Sequence, residues 1–373
     1  MAMRISAAVL RQVGGPIHIE SLHLDDPEAD EVLVRIVASG ICQTDVHVRQ
    51  GHVPAPTPIV LGHEGAGVVE RVGIAVQSVS VGDHVVLSYH SCGRCESCSS
   101  DHPAYCDLAF PINFAGARVD GSNALRDAKG AVVHGHFFGQ SSFSNYALAN
   151  LRNVVKVPRD LPLELLAPLG CGFQTGASAV LRSLGVTRGS SFVVFGVGAV
   201  GMAALMAANI AAAKRVIAVD LNADRLALAR ELGASDTIRA GKPDQVAAEI
   251  NRITGRGANF LLDTSGHRDS LNAGIMAMAP MGKFGGVAFS PGSDASLQAS
   301  SLFVGKSLQG IIQGDAIPQL FIPEMIAQYR AARFPFDRLV RFYDFDQIEQ
   351  AFADAALGVA IKPVLRISPG GRA

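Results

Sequence analysis

Short hydrophobic segments, separated by glycine, proline and acidic residues, fill the first 150 positions of the chain. Runs rich in valine and isoleucine cover residues 31–39 and Gly65–Val72, and a third run, His84–Leu87, directly follows Gly82 and Asp83. Such runs, bounded by turn-forming residues, predict β-strands. The first part of the chain is therefore predicted to be rich in β-structure.

The pattern changes near residue 163. Residues 163–184 are rich in alanine and leucine at helical spacing, and from residue 191 hydrophobic strands alternate with amphipathic helices. Predicted strands cover 192–195, 215–219, 260–262, 282–288, 308–312 and 362–367, and predicted helices cover 200–213, 224–232, 323–333 and 345–356. This alternation predicts an α/β protein with a parallel sheet and crossover helices.

Composition and charge exclude several classes of protein. Of the residues, 49% are hydrophobic and 17% are charged, which excludes a disordered chain. The length of 373 residues suggests about two domains. The net charge of −1, with no cluster of lysine and arginine, argues against a nucleic-acid partner. The longest apolar stretch, residues 199–213, is too short to span a membrane, and the first residues lack a signal-peptide core. We therefore expect a cytoplasmic protein without a membrane partner.

Four of the six cysteines lie on one short segment, Cys92-x2-Cys95-x2-Cys98-x7-Cys106. Four thiolates at this spacing close a tetrahedral zinc shell, so we expect a structural zinc that stabilises the loop and performs no chemistry. An iron–sulfur cluster and free thiols are the alternatives. The proline that follows the last cysteine in bacterial ferredoxin motifs is absent, because Asp107 stands there, and zinc is therefore favoured.

The two remaining cysteines, Cys42 and Cys171, are far apart in the sequence, and a Gly62-His63-Glu64 segment lies between them. Two thiolates and one imidazole form the three-ligand set of a catalytic zinc whose fourth position is open to water or substrate. Alternatively, each cysteine is a small buried hydrophobic residue and the histidine is structural. The metal hypothesis is stronger because it accounts for every cysteine in the chain.

A glycine-rich loop, Gly196-Val-Gly198-Ala-Val-Gly201, joins a predicted strand to a predicted helix. Glycines in this position allow the tight turn, and the helix N-terminus then faces a pyrophosphate. Asp220 ends the following strand, where an acid accepts the adenosine ribose hydroxyls and repels a 2′-phosphate. The loop therefore predicts a dinucleotide site, and Asp220 predicts NAD rather than NADP. The alternative to a nucleotide site is a purely structural βαβ turn.

These motifs, taken in order, resemble the zinc-dependent medium-chain alcohol dehydrogenases over nearly the whole chain. Segments 137–143, 170–176 and 334–338 are most similar to the benzyl alcohol and geraniol dehydrogenase branch. The resemblance implies a GroES-like, β-rich catalytic domain over residues 1–172 and 313–373. It also implies a Rossmann NAD-binding domain, a doubly wound parallel sheet, over residues 173–312.

The resemblance also implies roles for residues around the metal. Cys42, His63 and Cys171 would bind the catalytic zinc, with Glu64 beside it, and Asp45 would bond the second ring nitrogen of His63. The substrate oxygen would take the open position, where Zn²⁺ makes an alkoxide accessible near neutral pH.

The resemblance also implies a path for the hydroxyl proton of the alcohol. Thr44 would accept this proton and pass it through the nicotinamide ribose to His47. A turn-forming threonine and a surface histidine are the alternatives. For the cofactor, Thr175 and Val200 would pack on the nicotinamide, and Arg225 would lie near the adenosine ribose.

One departure from the family concerns the pyrophosphate. Gln43 replaces the basic residue that some relatives carry there. We expect Lys362, at the family's C-terminal basic position, to supply the charge, unless it is a solvated lysine.

The residues at the family's substrate-pocket positions are mostly apolar or aromatic: Val53, Tyr89, Pro111, Phe137 and Phe138. Such a lining favours flat or long apolar alcohols, because these bury more surface than small ones. The implied function is the reversible, zinc- and NAD-dependent oxidation of a primary aromatic or allylic alcohol to its aldehyde. A general or glutathione-linked alcohol/formaldehyde dehydrogenase is the alternative, although the pocket lacks an arginine for the charged conjugate.

Two other protein classes fit the sequence less well. A zinc-free enone or quinone reductase, or a non-catalytic relative that serves as a bulk structural protein, would lack the Cys/His ligand set. A zinc-ribbon interaction module would leave Cys42, Cys171 and the nucleotide loop unexplained. We expect a homo-oligomer, a dimer in preference to a tetramer, with residues 301–312 as the region where two nucleotide domains pair.

Overall fold

The computed structural model describes residues 3–288 and 299–368, and the chain divides into two units. The first unit consists of Met1–Cys171, Ile317–Pro323 and Asp337–Ala373. The second consists of Gly172–Ala316 and Glu324–Phe336. Among the described residues, no helix is long and apolar enough to cross a membrane.

This division differs from the predicted boundaries at two places: the second unit begins at Gly172 rather than at residue 173, and it also includes part of the C-terminal segment. The prediction gave residues 313–373 to the β-rich domain, whereas residues 313–316 and Glu324–Phe336 belong to the second unit. Side-chain packing explains the difference, because the ring of Phe336 lies 5.5 Å from that of Phe173 within the second unit.

Two sheets form the core of the first unit. The strands are β1 (Met3–Leu10), β2 (Ile17–Leu24), β3 (Glu31–Gly40), β4 (Ile59–Val60), β5 (Gly65–Val72), β6 (His84–Leu87), β7 (Leu125–Arg126), β8 (Val132–Val133), β9 (Tyr146–Asn150), β10 (Val154–Lys156), β17 (Val340–Asp344) and β18 (Lys362–Arg366). The five-stranded antiparallel sheet has the order β4-β1-β2-β7-β8, and the seven-stranded sheet has the order β10-β6-β5-β3-β18-β17 with β9 also paired to β3. The helices are α1 (Gln43–Arg49), α2 (Glu96–Ser99), α3 (Ala109–Phe114), α4 (Leu163–Leu166) and α11 (Ile348–Ala356).

Strand β3 positions much of the site. It is buried along its length except at Arg35, because strands pair with it on both sides. Its last residues, Ser39 and Gly40, lie opposite Gly65 at the start of β5 and Val364 near the start of β18. The segments that flank these strand ends are therefore brought together in the fold.

The elements of the second unit are α5 (Gly172–Ser178), β11 (Ser191–Phe195), α6 (Ala199–Ile210), β12 (Arg215–Asp220), α7 (Ala223–Glu231), β13 (Asp236–Arg239), α8 (Pro243–Thr254), β14 (Ala258–Asp263), α9 (Arg268–Ala277), β15 (Met278–Gly286) and β16 (Ser307–Gly310), while α10 (Pro318–Arg330) is divided between the units after Pro323. Its strands form a six-stranded sheet in which every pairing is parallel, with the order β13-β12-β11-β14-β15-β16. The strand order reverses between β11 and β14, which is where doubly wound sheets bind their ligands. The predicted parallel sheet with crossover helices is confirmed.

The alanine- and leucine-rich segment 163–184 is not one helix. Helix α4 ends at Leu166, a 3₁₀ turn follows at Ala167–Gly170, and α5 begins at Gly172. Pro168 lies in that turn, and proline cannot continue the hydrogen bonds of an α-helix. The break leaves Cys171 in a non-helical conformation, with φ −143° and ψ −83°.

Candidate active site and metal centres

Four side chains of the first unit gather their ligand atoms within 4.8 Å of one another: Cys42, His63, Glu64 and Cys171. They come from three parts of the chain. Cys42 is the N-cap of α1, His63 and Glu64 directly precede β5, and Cys171 lies at the helix break. The structure thus brings together the three zinc ligands and the acid that the sequence singled out.

Only one of the two ring nitrogens of His63 has a hydrogen-bond partner among the described residues. Its Nδ1 lies 3.2 Å from Asp45 Oδ1, whereas its buried Nε2 has no hydrogen-bond partner among the described residues. Asp45 is itself buried and accepts the backbone N–H of Cys42 at 3.0 Å and of Gly62 at 3.1 Å. Because a buried, unpaired ring nitrogen is costly in a protein interior, His63 Nε2 fits a metal ligand oriented by Asp45.

The two thiols of this cluster also fit a metal. As a hydrogen-bond donor, the Cys171 thiol holds the pKa of Cys42 well below its usual range, although burial acts in the opposite direction. Tetrahedral zinc with Zn–S bonds of about 2.3 Å places sulfur atoms about 3.8 Å apart. The 4.8 Å spread of the ligand atoms is compatible with such a shell.

Glu64 is paired with Lys362 in the interior. Lys362 is 2% exposed, and its Nζ lies 2.8 and 2.9 Å from the two carboxylate oxygens of Glu64 and 3.2 Å from the carbonyl oxygen of Ile41. Burial alone would lower the pKa of Lys362, but the attraction of Glu64 outweighs it and raises that pKa above its usual range. Lys362 is therefore a buried cation.

The alternative of a solvated lysine is wrong, because β18, which begins with Lys362, pairs with the end of β3 and directs the side chain to Glu64. The role of Lys362 at the pyrophosphate stays a prediction. Space there is limited, since a Cβ on Gly40 would lie 2.1 Å from Glu64 Oε2.

Helix α1 carries the two residues assigned to proton transfer. Thr44 Oγ1 lies 3.7 Å from Cys42 Sγ. The half-buried His47 contacts the exposed His52, with 3.3 Å between their Nδ1 atoms. Burial, and to a lesser extent the neighbouring His52, lower the pKa of His47. His52 was not singled out in the sequence because an isolated histidine in a loop carries no local signal.

Aromatic rings pack against the imidazole ring of His63. The Phe138 ring stacks on the imidazole, with 4.4 Å between ring centroids and 24° between planes. Phe137 meets His63 edge-on at 5.7 Å. Phe114 packs against both phenylalanines, at 5.7 and 5.1 Å. Phe114 has no local sequence signal for this role, because its place on α3 gives no sign of its contact with residues more than twenty positions away.

The other predicted pocket residues differ in burial. Tyr89 is buried and Val53 half-buried, and both belong to the hydrophobic cluster that contains Phe137 and Phe138. Pro111 is exposed on α3.

The four clustered cysteines also converge. The sulfurs of Cys92, Cys95, Cys98 and Cys106 lie within 4.8 Å of one another. The backbone N–H of Cys92 donates to Cys106 Sγ at 3.3 Å, which is the kind of contact that supports a thiolate ligand. Four sulfurs in this arrangement fit a closed tetrahedral metal site.

In the second unit, the glycine-rich loop joins β11 to α6. Gly196 has φ +81°, a conformation that favours glycine, and a Cβ on Gly201 would lie 1.9 Å from the Gly196 carbonyl oxygen. Gly198 is the N-cap of α6. The loop therefore needs glycine at both ends, as a close backbone approach to a phosphate requires.

Asp220 ends β12 and contacts this loop. Its Oδ2 accepts the backbone N–H of Val197 at 2.7 Å, and its Oδ1 accepts that of Asn222 at 2.8 Å. A carboxylate has about four lone-pair positions, so these two bonds leave acceptor capacity on both oxygens.

The other predicted cofactor residues lie on helices of the same unit. Thr175 is on α5 and Val200 on α6, and the two helices are close enough that a Cβ on Gly176 would lie 2.0 Å from the Val200 carbonyl oxygen. Arg225 is in the first turn of α7, where its backbone N–H donates to the N-cap residue Asn222.

Comparison with known proteins identifies the family of this chain. The family described as alcohol dehydrogenase GroES-like domain matches residues 28–159, and the zinc-binding dehydrogenase family matches residues 199–329. A geraniol dehydrogenase of Castellaniella defragrans is 49% identical over 363 residues, covering 96% of each chain. The chain belongs to the zinc-binding alcohol dehydrogenase family.

Two solved structures are also similar to this alcohol dehydrogenase. An alcohol dehydrogenase zinc-binding domain protein from Burkholderia ambifaria is 51% identical with a TM-score of 0.96, covering 99% of this chain and 100% of that chain. A benzyl alcohol dehydrogenase from Acinetobacter calcoaceticus is 45% identical with a TM-score of 0.94, covering 98% and 100%. These similarities confirm the predicted family, its aryl-alcohol and geraniol branch and the GroES-like and Rossmann fold class.

As a member of this family, the chain is an oxidoreductase that uses zinc and a nicotinamide dinucleotide.

Proposed function

We propose that this alcohol dehydrogenase oxidises primary aromatic or allylic alcohols, such as benzyl alcohol and geraniol, to their aldehydes with zinc and NAD, in a reversible hydride transfer. The observation that carries the proposal is the stack of Phe138 on His63, with Phe137 and Phe114 packed behind it. This aromatic wall gives a flat or unsaturated substrate apolar surface beside a metal ligand. The names of two relatives, a geraniol and a benzyl alcohol dehydrogenase, support it.

The metal would be held by Cys42 Sγ, His63 Nε2 and Cys171 Sγ. When bound, zinc supplies Lewis acidity that makes the substrate alkoxide accessible near neutral pH. Asp45 orients the His63 ring and fixes the proton on Nδ1, because its Oδ1 accepts from that nitrogen. The Glu64–Lys362 ion pair keeps a neutralised acid beside the ligands, so that Glu64 does not compete with substrate for the open position.

Proton transfer would use α1. Thr44 accepts the alcohol proton, and His47 delivers it to solvent together with the exposed His52. The lowered pKa of His47 keeps its ring neutral near pH 7, so that it is able to accept a proton.

The cofactor and metal stoichiometry are also part of the proposal. Asp220 would bind the adenosine ribose hydroxyls and exclude a 2′-phosphate, which selects NAD. The loop with Cys92, Cys95, Cys98 and Cys106 would hold a second, structural zinc.

Assembly into a homodimer would use the edge of the six-stranded sheet. Strand β16 is the last strand of that sheet, and its four residues are all exposed. An exposed edge strand presents unpaired backbone groups to a second copy of the chain. In this arrangement the first unit carries the catalytic metal and the second carries the nucleotide.

The proposal is tested by kcat/KM values with NAD for benzyl alcohol, geraniol, ethanol and hydroxymethylglutathione. We expect benzyl alcohol and geraniol to exceed the other two at least tenfold. Equal values for ethanol and benzyl alcohol, or a preference for the glutathione conjugate, would overturn the substrate assignment.

A further inference from the structure

A buried carboxylate ties together the two segments that carry the aromatic wall. Glu31, the first residue of β3, accepts hydrogen bonds on both oxygens. Oε1 accepts from Arg118 Nε at 2.8 Å and His136 Nε2 at 2.9 Å, and Oε2 accepts from Arg118 Nη2 at 2.9 Å and the Glu28 N–H at 2.9 Å. The side chains of Glu31, His136 and Arg118 are 5, 8 and 9% exposed.

The surroundings of Glu31 favour the ionised form of its carboxylate. Burial alone raises the pKa of Glu31, but the hydrogen bonds from His136 and Arg118 outweigh it and lower that pKa to about 2. Removing one partner of a buried ion pair is costly, because the charge of the other partner then stays buried without a counter-ion.

The two side-chain partners of Glu31 lie close to wall residues in the sequence. His136 directly precedes Phe137 and Phe138, and Arg118 follows Phe114 by four residues. One carboxylate therefore fixes both segments whose rings pack on each other and on His63.

The segment after His136 has an unusual backbone. His136, Phe138 and Ser141 have φ values of +59°, +51° and +52°, in the left-handed region that L-residues rarely adopt. Such a conformation persists only where surrounding contacts determine it.

The far end of this segment is anchored to the metal ligand. Gln140 is 1% exposed, and its Nε2 donates to the carbonyl oxygens of His63 and Ser88, both at 3.0 Å. Its Oε1 accepts the Gly65 N–H at 3.1 Å. Because Gln140 fixes one end and the Glu31–His136 pair the other, the position of the Phe138 ring depends on both.

We infer that Glu31 and His136 are positioning residues for alcohol selectivity, which hold Phe138 against His63 and so shape the site for flat, apolar substrates. This inference rests on the proposed function. Neither residue touches the substrate, and both act through the aromatic wall.

The test is His136→Asn in the zinc-loaded enzyme. Asparagine tolerates the left-handed backbone but is too short to reach Glu31, so the variant removes the contact without adding strain. We expect KM for benzyl alcohol to rise at least fivefold, with kcat changed less than twofold and kcat/KM for ethanol unchanged within twofold. A folded variant with the wild-type ratio of benzyl alcohol to ethanol efficiency would overturn the inference, and so would an equal loss for both alcohols.

Arg118→Lys is the second variant, in case His136→Asn does not fold. It keeps the charge but loses the two-pronged contact with Glu31, and the same direction of change is expected. Glu20→Gln is the matched control, because Glu20, a half-buried residue of β2, also accepts two hydrogen bonds from an arginine, Arg11. It should leave selectivity unchanged.

A readout independent of the substrate separates this inference from the proposed function. With 4-fluorophenylalanine in place of Phe138, the ¹⁹F signal should shift in His136→Asn and stay unchanged in Glu20→Gln. A shifted signal in an enzyme that prefers ethanol would retain the positioning role and refute the substrate proposal. An unshifted signal would refute the positioning role whatever the substrate.

Discussion

Lys362 Nζ lies 2.8 Å from Glu64 Oε1, and the two side chains are 3 and 0% exposed. The pair joins the start of β18 to the residue that follows the ligand His63. Glu64 is therefore part of a buried ion pair rather than an isolated buried charge.

Replacement of Lys362 by methionine is expected to lower the free energy of unfolding by about 3 kcal/mol, because it leaves Glu64 buried without its counter-ion. The double variant Glu64→Gln/Lys362→Met should recover most of this loss. Urea unfolding measures both. Lys156→Met is the control, since Lys156 pairs with Asp83 but its side chain is 60% exposed, and it should cost less than about 1 kcal/mol. If Lys362→Met instead raised only KM for NAD, the residue would belong to the cofactor site after all.

Acid should weaken the contribution of Glu31 to stability. The pKa of Glu31 falls from its ordinary 4.5 to about 2 in the folded protein. A lowered pKa stabilises the fold at pH values above the ordinary pKa, and this stabilisation is lost as the pH falls toward the folded value. At pH 7, Glu31→Gln should therefore cost about 3 kcal/mol of unfolding free energy.

The measurement is the unfolding free energy of wild type and Glu31→Gln between pH 6 and pH 3.5. The difference between the two should narrow as the pH falls below about 4.5. Glu20→Gln is the reference for a more accessible carboxylate that is also paired with an arginine. A stability difference between wild type and Glu31→Gln that stays constant or widens in acid would contradict this assignment.

Two zinc ions per chain are expected, with different consequences when each is lost. Cys95→Ser should remove one zinc and lower the melting temperature, because a structural zinc contributes folding free energy. His63→Ala should abolish turnover and leave the circular dichroism spectrum unchanged. Elemental analysis and circular dichroism check both, and active enzyme with one zinc would contradict the assignment.

Much of the fold is predictable from local sequence. The strands Gly65–Val72 and His84–Leu87 have the predicted bounds, because valine-rich runs between turn residues define them without help from the rest of the chain. Helix α10 begins at Pro318 rather than at the predicted residue 323, since Pro323 inside the helix resembles a start signal.

The arrangement of the site depends on pairings distant in sequence. Residue types and spacing single out Cys42, His63 and Cys171, but the burial of Lys362 follows from the pairing of β18 with β3. Likewise, Glu31 and His136 are 105 positions apart, and no local pattern indicates their contact.

Cofactor choice is expected to depend on the charge of Asp220. Asp220→Asn retains an acceptor for the Val197 N–H but removes the charge, so it should admit NADP while the loop stays intact. Asp220→Ala should also weaken NAD binding, because it removes both backbone contacts. The measurement is kcat/KM for NAD and NADP in each variant, and a wild-type enzyme that prefers NADP would contradict the assignment.

The central claim is that an aromatic wall beside His63 selects the alcohol. Its most direct test is the ratio of kcat/KM for benzyl alcohol to that for ethanol, measured in wild type and in Phe138→Ala at equal zinc content. We expect a strong wild-type preference for benzyl alcohol that falls about tenfold or more in the variant, because the ring contact is worth roughly 1.4 kcal/mol. A wild-type ratio near one, or a ratio that Phe138→Ala leaves unchanged, would contradict it.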